Sequence, residues 1–412
     1  MRLPIFPMII LIAFNLLVDG YIWAVLRRVV KSRGVSRAYL VSSLLLIVYA
    51  AVIVALPRRR GGDSLLLADM WMLYSYFTVY VPKLVFVAVS LFAWLPLLWK
   101  RMVSRTVLRI GVLLAFATFV VMWWGALVNR TRIDVSDVVV YSENLPESFD
   151  GYTIVQFSDF HVGTYGNDTT FVSEVVDTIN GLHPDIIFFT GDIVNRRTDE
   201  LTPFVAPLSR LSAPDGVVSI MGNHDYGDYR EWPSPQAKSD NLRRMHYMQA
   251  EMGWRLLLNS SEWLRRGSDS IAVVGVENWG DPPFTVYGDL RKAYPAPGDS
   301  IFKILLTHNP AHWVAEVADT DSVNIPLSLS GHTHAMQIEV GGWSPAKYRY
   351  PTWGGLYADS DSTHLLYVNI GVGAVALPMR IGATPEITRI TLRRGPASLS
   401  SPSRSHTRQN NQ

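Results

Sequence analysis

The chain changes its pattern of apolar and polar positions once, near residue 128. Before that point, four long apolar runs are separated by short basic segments, and after it short apolar runs alternate with amphipathic stretches. A run of about 20 apolar residues is long enough to span the hydrocarbon core of a bilayer. We therefore predict a membrane-spanning region over residues 1–128. Its four helices are predicted at residues 4–26, 38–56, 77–99 and 107–128.

Two of these runs have an alternative interpretation. The first could be a cleaved signal peptide, but no small-residue cleavage site follows it and three further apolar runs do. The third is interrupted by Pro82 and Lys83, so residues 65–80 could instead lie in the membrane interface as an amphipathic segment. A chain with three spans would carry its C-terminal region to the other side of the membrane.

Basic residues flank the apolar runs and indicate a topology. Nine lie in the first and third connections: Arg27, Arg28, Lys31, Arg33, Arg37, Lys100, Arg101, Arg105 and Arg109. Six lie on the opposite side: Arg2, Arg58, Arg59, Arg60, Arg130 and Arg132. Because cytoplasmic loops carry the excess of Lys and Arg, a multi-pass protein of the bacterial inner membrane with its C-terminal domain on the non-cytoplasmic side is expected. The formal net charge is only +2, so no nucleic-acid partner is expected.

The part after residue 128 has the pattern of an α/β domain. Residues 129–151 are predicted to form a linker and a first strand, residues 152–394 the domain itself, and residues 395–412 a disordered tail poor in apolar residues. Apolar runs predict strands at residues 138–141, 152–157, 185–190, 217–221, 271–276, 303–307, 327–330 and 365–370. Amphipathic runs predict helices at residues 170–182, 202–211 and 235–252.

Alternating strands and helices predict a two-sheet sandwich with flanking helices. The strand at residues 303–307 is expected in the first sheet, and the strands after Gly331 are expected to form a second, more antiparallel sheet. Residues 226–279 could cover a site or simply pack as an insertion. The overall expectation is a four-helix transmembrane region followed by this sandwich.

Five polar clusters follow predicted strands directly. They contain Asp159 and His161, Asp192 and Asn195, Asn223, His224 and Asp225, His308, and His332 and His334. Oxygen and imidazole donors of this kind bind hard or borderline divalent metals. The sequence contains no cysteine, which excludes thiolate metal sites and cysteine nucleophiles.

The spacing within the clusters brings side chains to one place. Asp159 and His161, like His332 and His334, are two residues apart, so in an extended segment both members of each pair face the same side. Ligands of α/β sheets bind beyond the carboxyl ends of the strands, where all five clusters are predicted to lie. Two metal ions about 3.5–4 Å apart need a shared carboxylate, and Asp192 is the candidate for that bridge.

Each cluster alone has a simpler explanation. A single histidine beside a strand is more often an ordinary packed or exposed residue, and Gly-Asp or Gly-Asn-His-Asp segments often form turns. The same type of donor at the end of five successive strands is what favours a metal site over five separate turns.

The string Asp-x-His, Gly-Asp, Gly-Asn-His-Asp, His and Gly-His-x-His resembles the calcineurin-like metallophosphoesterase superfamily over residues 152–392. Residues 158–163, 331–337 and 377–380, together with 385–386, resemble its membrane-associated bacterial branch. The resemblance implies two divalent ions, and mixed imidazole and carboxylate ligands accept Mn, Fe, Zn, Ni or Co without identifying the metal. It places one ion on Asp159, His161, Asp192 and His334. It places the other on Asp192, Asn223, His308 and His332.

The resemblance also assigns supporting roles. His224 is expected to be catalytic, stabilising phosphate charge or protonating the leaving oxygen, with Asp225 orienting its ring. Asn195 is expected to support the site without binding metal. Arg380 is open between a substrate phosphate and a salt bridge with Glu386. Gln337 and four aromatic residues could either pack within the domain or line a substrate or lipid-facing groove. The four aromatic residues are Trp343, Tyr348, Tyr350 and Trp353.

These expectations describe a membrane-anchored phosphohydrolase. A phosphomonoester, phosphodiester or pyrophosphate bond would be cleaved by metal-activated hydroxide, and the substrate could be lipid-linked because a bilayer is an expected partner. The alternative is a membrane sensor or transport component in which the metal-binding domain is regulatory. Such proteins usually carry ionisable residues within their spans, and here those are few, chiefly Asp19, Asp69 and Lys83.

Overall fold

A computed structural model describes residues 5–56, 63–99, 103–281, 285–295, 300–320, 322–396 and 403–405. The chain divides into two compact units, one of Met1–Val128 with Ala376–Met379 and one of Asn129–Val375 with Arg380–Gln412. The helices, numbered in chain order, are α1 Ile5–Val29, α2 Arg33–Ala55, α3 Asp63–Leu91, α4 Arg105–Leu127, α5 Thr170–Gly181, α6 Val205–Leu208, α7 Pro235–Glu251, α8 Leu290–Ala293 and α9 Pro310–Glu316.

The first unit consists of α1 to α4. The side chains of Ser32 and Ser104 accept hydrogen bonds at the starts of α2 and α4, which satisfies helix N–H groups that would otherwise lack partners. Within the described residues, four segments are long and apolar enough to cross a membrane: Ile9–Val29, Arg33–Ala55, Leu65–Leu97 and Arg105–Thr131.

The third of these segments contains Pro82 and Lys83, the two residues that interrupt its apolar run. Helix α3 continues through Pro82 to Leu91, and a 3-10 segment follows over Phe92–Trp99. Residues 65–80 are therefore part of one long helix and of the third candidate span.

The second unit is an α/β sandwich of two sheets. Its strands are β1 Asp134–Ser142, β2 Thr153–Phe157, β3 Ile186–Phe189, β4 Val217–Ser219, β5 Trp254–Leu256, β6 Ser260–Arg266, β7 Asp269–Gly275, β8 Lys303–Leu306, β9 Leu327–Ser330, β10 Gly355–Ala358, β11 Leu365–Val368, β12 Glu386–Arg394 and β13 Ser403–Ser405. The first sheet has the order β13-β1-β12-β2-β3-β4-β5, and the second has the order β10-β11-β9-β8-β7-β6. This architecture confirms the predicted fold class.

Two details of the sheet assignment differ from the prediction. Strand β8 pairs with β7 and β9, so it belongs to the second sheet and not to the first. That sheet already begins with β6, and its inner pairs β7–β8, β8–β9 and β9–β11 are parallel, with antiparallel pairs only at its two edges. Parallel partners lie far apart along the chain, so a local apolar run does not indicate which sheet it joins.

Side-chain alternation along the strands builds three apolar layers. Ile154 of β2 belongs to the core between the sheets together with Ile304 of β8, whereas the next residue, Val155, belongs to the core under α5 and α7. A third core lies between the second sheet and α9, where Leu305 packs with Trp313. Burial of one such side chain contributes about 1.5–3 kcal/mol, which holds the strand ends in a fixed register.

Two predicted local features differ from the structure. The helix predicted at residues 202–211 is a 3-10 segment, Thr198–Phe204, followed by the single turn α6, because Pro203 and Pro207 remove backbone donors that a longer α-helix needs. Within the tail predicted to be disordered, Ser403–Ser405 pair with β1 as β13. Residues 397–402 and 406–412 of that tail lie outside the described residues.

Candidate metal centre

The register of the sheets brings the predicted donor residues to one edge. Phe157 at the end of β2 pairs with Phe189 at the end of β3, which pairs with Ser219 at the end of β4. In the second sheet, Leu306 at the end of β8 pairs with Leu329 near the end of β9. The segments that follow these five strands carry Asp159 and His161, Asp192, Asn223 and His224, His308, and His332 and His334. The donors therefore come from both sheets, not mainly from the first.

Close approach between these segments requires glycine. A Cβ atom on Gly222 would lie 2.2 Å from Oδ1 of Asp192, and one on Gly331 would lie 2.4 Å from Oδ2 of Asp159. Both distances are far below any real contact. The glycines of the Gly-Asn-His-Asp and Gly-His-x-His segments thus let the backbone pass beside the carboxylates.

Five of the candidate donor residues have a left-handed backbone. Their φ values are 53° for Asp159, 47° for His161, 61° for Asp192, 76° for His332 and 50° for His334. This conformation costs roughly 1–2 kcal/mol for a residue with a side chain, and it persists only where the surroundings hold it in place. Such clustered strain is typical of functional sites. It also turns these side chains out of the strand direction and toward a common centre.

The first group of donors contains Asp159, His161 and His334, whose ligand atoms lie within 4.8 Å of one another. The two histidines face each other, with 3.0 Å between their Nε2 atoms. Nε2 of His334 is also 3.3 Å from Oδ1 of Asp159. Two ring nitrogens and a carboxylate that converge in this way form an arrangement that a cation satisfies.

The second group contains Asn223, His308 and His332. Oδ1 of Asn223 lies 3.1 Å from Nε2 of His308 and 2.9 Å from Nδ1 of His332. The two ring nitrogens are 3.2 Å apart. This group therefore offers three converging donors from β4, β8 and β9.

Asp192 lies between the two groups. Its Oδ2 atom is 3.7 Å from Nε2 of His161 in the first group and 3.2 Å from Nε2 of His308 in the second. One carboxylate is thus within reach of both sets of donors.

Hydrogen bonds on the far side of three rings fix which nitrogen faces the centre. Nδ1–H of His161 donates to the Val194 carbonyl (3.2 Å), and Nδ1–H of His308 donates to the Thr190 carbonyl (2.8 Å), because a carbonyl can only accept. His332 is turned the other way, with Nε2 2.8 Å from the hydroxyl of Tyr350. Each ring can then present a lone pair to a metal, which is the common way in which proteins orient such ligands.

His334 has a different environment. Its Nδ1 atom lies 3.2 Å from Nη2 of Arg380, and a guanidinium can only donate. A metal on Nε2 therefore requires either a deprotonated Nδ1 beside the guanidinium or a shift of Nη2 away from the ring.

The pKa shifts of four donor residues favour the forms that bind a cation, whereas that of His308 does not: burial alone would lower its pKa, but the charge of Asp192 raises it to about 9. Burial alone would raise the pKa values of Asp159 and Asp192, but the charges of the neighbouring histidines, His334 and His308 first among them, lower both. Burial lowers the pKa of His161 well below its ordinary value and that of His332 to about 4. Carboxylates and neutral imidazoles are the forms that bind metal.

The His224 ring is oriented by backbone and not by Asp225. Its Nδ1 atom lies 2.6 Å from the carbonyl oxygen of Asn195, and its ring lies edge-on to His161 at 4.7 Å. The Asp225 carboxylate instead accepts backbone N–H bonds, from Asp192, Ile193, Val194 and Gly222 at 2.9–3.3 Å. Burial, followed by the charge of Asp192, raises the pKa of Asp225 to about 7.

This arrangement corrects the expected role of Asp225. Its carboxylate ties the segment after β3 to the segment after β4, so it holds two candidate ligands in place and does not contact the ring of its neighbour. Asn195 is not among the converging donors, and its backbone carbonyl contacts the His224 ring. Its side chain donates to Thr164 Oγ1 (3.1 Å).

Two tyrosines contact the site: Tyr229, for which the sequence indicated no role at the site, and Tyr350, which the sequence left open between packing and a substrate or lipid-facing groove. Tyr229 stacks on His224, with ring centroids 4.1 Å apart, and its hydroxyl lies 2.8 Å from Nδ2 of Asn223. Tyr350 contacts His332 as described above. Part of the 226–279 segment thus does cover the site, while Met245 and Met248 of α7 pack in the apolar core. Aromatic residues in irregular segments carry no periodic signal that would have identified these two.

Other open assignments are resolved by burial. Arg380 is fully buried, and its guanidinium contacts the carbonyls of Gly373, Ala383 and Ile370 and the ring of His334, so it is not placed to contact a substrate phosphate. Gln337 is buried and accepts from the backbone of Val375.

The geometry defines the class of protein. An α/β sandwich that gathers two carboxylates, four imidazoles and an amide oxygen beyond its strand ends has the donor set of a metal-dependent hydrolase. Residues 152–336 match the family described as Calcineurin-like phosphoesterase, and residues 1–130 match the one described as Probable Calcineurin-like phosphoesterase, transmembrane domain.

Similar proteins agree with these matches. The Bacillus subtilis (strain 168) protein YkuE, an uncharacterized metallophosphoesterase, is 35% identical over 63% of this chain and 86% of its own. A Danio rerio transmembrane protein with a metallophosphoesterase domain is 31% identical over 69% of this chain and 63% of its own. LpxG of Chlamydia trachomatis, a UDP-2,3-diacylglucosamine pyrophosphatase, is 27% identical over 63% of this chain and 90% of its own. The chain belongs to the calcineurin-like metallophosphoesterases, and it is an enzyme of their membrane-associated type.

Proposed function

We propose that this chain is a membrane-anchored phosphohydrolase that uses two divalent metal ions. The observation that carries the proposal is the position of Asp192, whose Oδ2 atom lies 3.7 Å from Nε2 of His161 and 3.2 Å from Nε2 of His308. A carboxylate shared by two donor groups is what a pair of closely spaced cations requires.

The residues present fit such a pair. Asp159, His161 and His334 would hold one ion, Asn223, His308 and His332 the other, and Asp192 both. When bound, the ions supply a water nucleophile at neutral pH and neutralise the oxygens of a phosphoryl group. Mn, Fe, Zn, Ni and Co all accept mixed imidazole and carboxylate ligands, so the donor set leaves the metal to be determined by experiment.

His224 is proposed to handle the proton of the leaving group. The Asn195 carbonyl holds Nδ1–H, so Nε2 is the atom left to carry a second proton. His224 also belongs to a group of ligand-type atoms with His161 and Asp192, within 4.8 Å of one another, and therefore lies beside the centre. An imidazolium in this position can stabilise phosphate charge and protonate the departing oxygen. Stacking on Tyr229 limits rotation of the ring.

A cavity of about 180 Å³ adjoins the second donor group. Asn223 and His332 form its inner wall, and its outer wall contains aromatic residues and the Arg349–Asp281 ion pair (3.0 Å). The aromatic residues that line the cavity are Tyr229, Trp279 and Tyr350. We propose that the group attached to the reacting phosphate lies in this cavity.

The substrate is proposed to be a lipid-linked phosphoester or pyrophosphate. Two observations support this class: the same chain carries four candidate spans, and the similar protein LpxG is named as a pyrophosphatase of a diacylated sugar nucleotide. We also propose that the transmembrane region ends at residue 128 and that the catalytic domain covers residues 152–394. The catalytic domain is proposed to lie on the non-cytoplasmic side of the membrane. A reporter fused to the C-terminus tests the side, and cytoplasmic activity of the reporter would refute it.

The enzymatic proposal is tested with the full chain in lipid nanodiscs. After chelation, we expect hydrolysis of an aryl phosphomonoester, an aryl phosphodiester or a lipid-linked pyrophosphate to be lost and to return with at least one of Mn²⁺, Fe²⁺, Co²⁺, Ni²⁺ or Zn²⁺. An exposed-histidine variant, His183→Gln, serves as the matched control and should behave like the unmodified chain. A folded protein that hydrolyses none of the three substrates with any of these metals would contradict the proposal.

A further inference from the structure

The segment after His334 exposes a concentrated set of apolar side chains. Residues 336–348, here called the exposed loop, contain Met336, Val340, Trp343 and Tyr348, which are 44%, 63%, 40% and 79% exposed. In the described part of the second unit, the other large apolar residues with comparable exposure are scattered: Tyr247, Trp263, Val286 and Val314. A contiguous set of exposed apolar residues in a protein marks an interaction surface more often than isolated ones do.

The exposed loop is held firmly by its surroundings. Oε1 of Gln337 accepts from the Val375 N–H (2.7 Å), and Ser344 Oγ donates to the Ala335 carbonyl (2.6 Å). Val340 and Trp343 exchange backbone hydrogen bonds of 2.9 and 3.1 Å across a two-glycine turn. The apolar side chains are thus presented outward by an anchored backbone.

The backbone of the loop also carries strain that would favour another conformation if the loop were free. Ala335 and Met336 have φ values of 51° and 46°. Each costs roughly 1–2 kcal/mol in a residue with a side chain. Such conformations persist only where the surrounding structure holds them in place.

The chemistry of the loop matches a lipid surface. Nζ of Lys347 lies 5.7 Å from the ring centre of Trp343 and 5.3 Å from that of Tyr348. Trp and Tyr side chains favour the level of lipid headgroups, where their rings are half apolar and half wet. A lysine can extend its apolar stem along such rings while its charge faces anionic headgroups. The central part of a protein–protein interface, in contrast, is depleted of lysine.

The loop is continuous with the candidate metal centre. It begins two residues after His334 and ends two residues before Tyr350, whose hydroxyl contacts His332. We propose that the exposed loop is a lipid-contacting surface, seated among bilayer headgroups beside the entrance to the site. The chain's own candidate spans mean that a bilayer is available to every molecule. The link to substrate access rests on the proposed function, but the contact with lipid does not.

The absence of cysteine from the sequence allows a direct test. Tyr348→Cys is labelled with an environment-sensitive fluorophore in the full chain, reconstituted into vesicles of phosphatidylcholine and phosphatidylglycerol. We expect strong quenching by nitroxide-labelled lipids, weak quenching by aqueous iodide and a blue-shifted emission. Tyr247→Cys, which replaces a tyrosine that is 67% exposed on α7, is the matched control and should show the reverse. Val340→Cys provides a second position if the first variant folds poorly.

Two results would overturn the proposal. Iodide access at residue 348 equal to that at residue 247 would show a surface exposed to water. Protection from both quenchers would show that a protein covers the loop. If lipid contact is observed, Lys347→Glu in the Tyr348→Cys background should reduce lipid quenching in the anionic vesicles, and no reduction would overturn the role of its charge. Fluorescence does not depend on turnover, so these results stay distinct from failure of the enzymatic proposal.

Discussion

Two buried polar clusters in this chain differ in the type of side chain that they gather. In the helical unit, Oδ1 of Asp19 accepts from Lys83 Nζ (2.7 Å) and from the hydroxyl of Tyr39 (2.6 Å), and Oδ2 accepts from that of Tyr80 (2.7 Å). Charges cancel and donors meet acceptors. In the second unit, four histidine rings converge on two carboxylates, with 3.0 Å between the Nε2 atoms of His161 and His334.

The difference separates a structural cluster from a ligand site. The Asp19 cluster is complete with its own side chains, so it can fix the packing of α1, α2 and α3 without another component. The cluster around Asp192 instead gathers side chains that are typical metal ligands, and we propose that cations bind there. Because both charged groups of the Asp19 cluster are engaged with each other, that cluster gives no support to the alternative of a transport or sensing path through the spans.

The largest effect is expected at the residue that handles the proton. His224→Gln keeps the size and polarity of the side chain but removes its ability to carry a proton, so we expect kcat to fall by about 10²–10⁴-fold. Metal content should stay unchanged, as measured by elemental analysis. A parallel loss of metal would show that His224 is itself a metal ligand.

The structural cluster should be sensitive to removal of one partner and tolerant of removal of both. Lys83→Met leaves Asp19 buried without its cation, and we expect a loss of about 3–5 kcal/mol in the free energy of unfolding. Asp19→Leu combined with Lys83→Met should recover most of that loss. Denaturant unfolding of the helices, followed by circular dichroism, measures both. A double variant as unstable as the single one would contradict the self-contained character of this cluster.

Removal of a residue that supports a metal ligand should lower the metal affinity less than removal of the ligand itself. Tyr350→Phe removes the hydroxyl that accepts from His332, and we expect metal affinity to fall by about 10–100-fold. Titration of metal into the chelated protein measures this. Tyr348→Phe, at a neighbouring exposed position, is the matched control. Equal metal affinities of the two variants would show that Tyr350 does not support metal binding.

The smallest effect is expected from the residue that stacks on His224. Aromatic pairs contribute about 0.5–1.5 kcal/mol, so Tyr229→Leu should lower kcat by up to about tenfold. Tyr229→Phe should retain the kcat because it keeps the ring. Tyr247→Leu controls for loss of an exposed tyrosine. If Tyr229→Phe and Tyr229→Leu lower kcat equally, the hydroxyl bond to Asn223 matters and stacking does not.

The comparison also shows what a sequence can predict. Asp159, Asp192 and the histidines could be identified because each directly follows a strand and because strand ends meet at one edge. The sheet to which β8 belongs could not be identified, since its partners β7 and β9 are distant in sequence. The prediction that Asp225 orients His224 is wrong, because adjacency in sequence does not determine which way a side chain points.

Features that depend on irregular backbone were the least predictable. The left-handed conformations of Asp159 and His332 arise from tertiary contacts, not from local preference. Tyr229 and Tyr350 reach the site from segments without periodicity. In the helical unit, apolar length alone was enough to find four candidate spans, whereas the pairing of Asp19 with Lys83 required the structure.

The central claim is that the Asp192 cluster requires cations and that one carboxylate serves two of them. The most direct test is the metal content of the full chain and of Asp192→Asn, measured by elemental analysis after equal loading with Mn²⁺ or Zn²⁺, with Asp177→Asn as an exposed control. We predict two ions per chain in the unmodified protein and the control, and one or none in Asp192→Asn. An unmodified chain that binds one ion or none, or an Asp192→Asn variant that retains two, would contradict the claim.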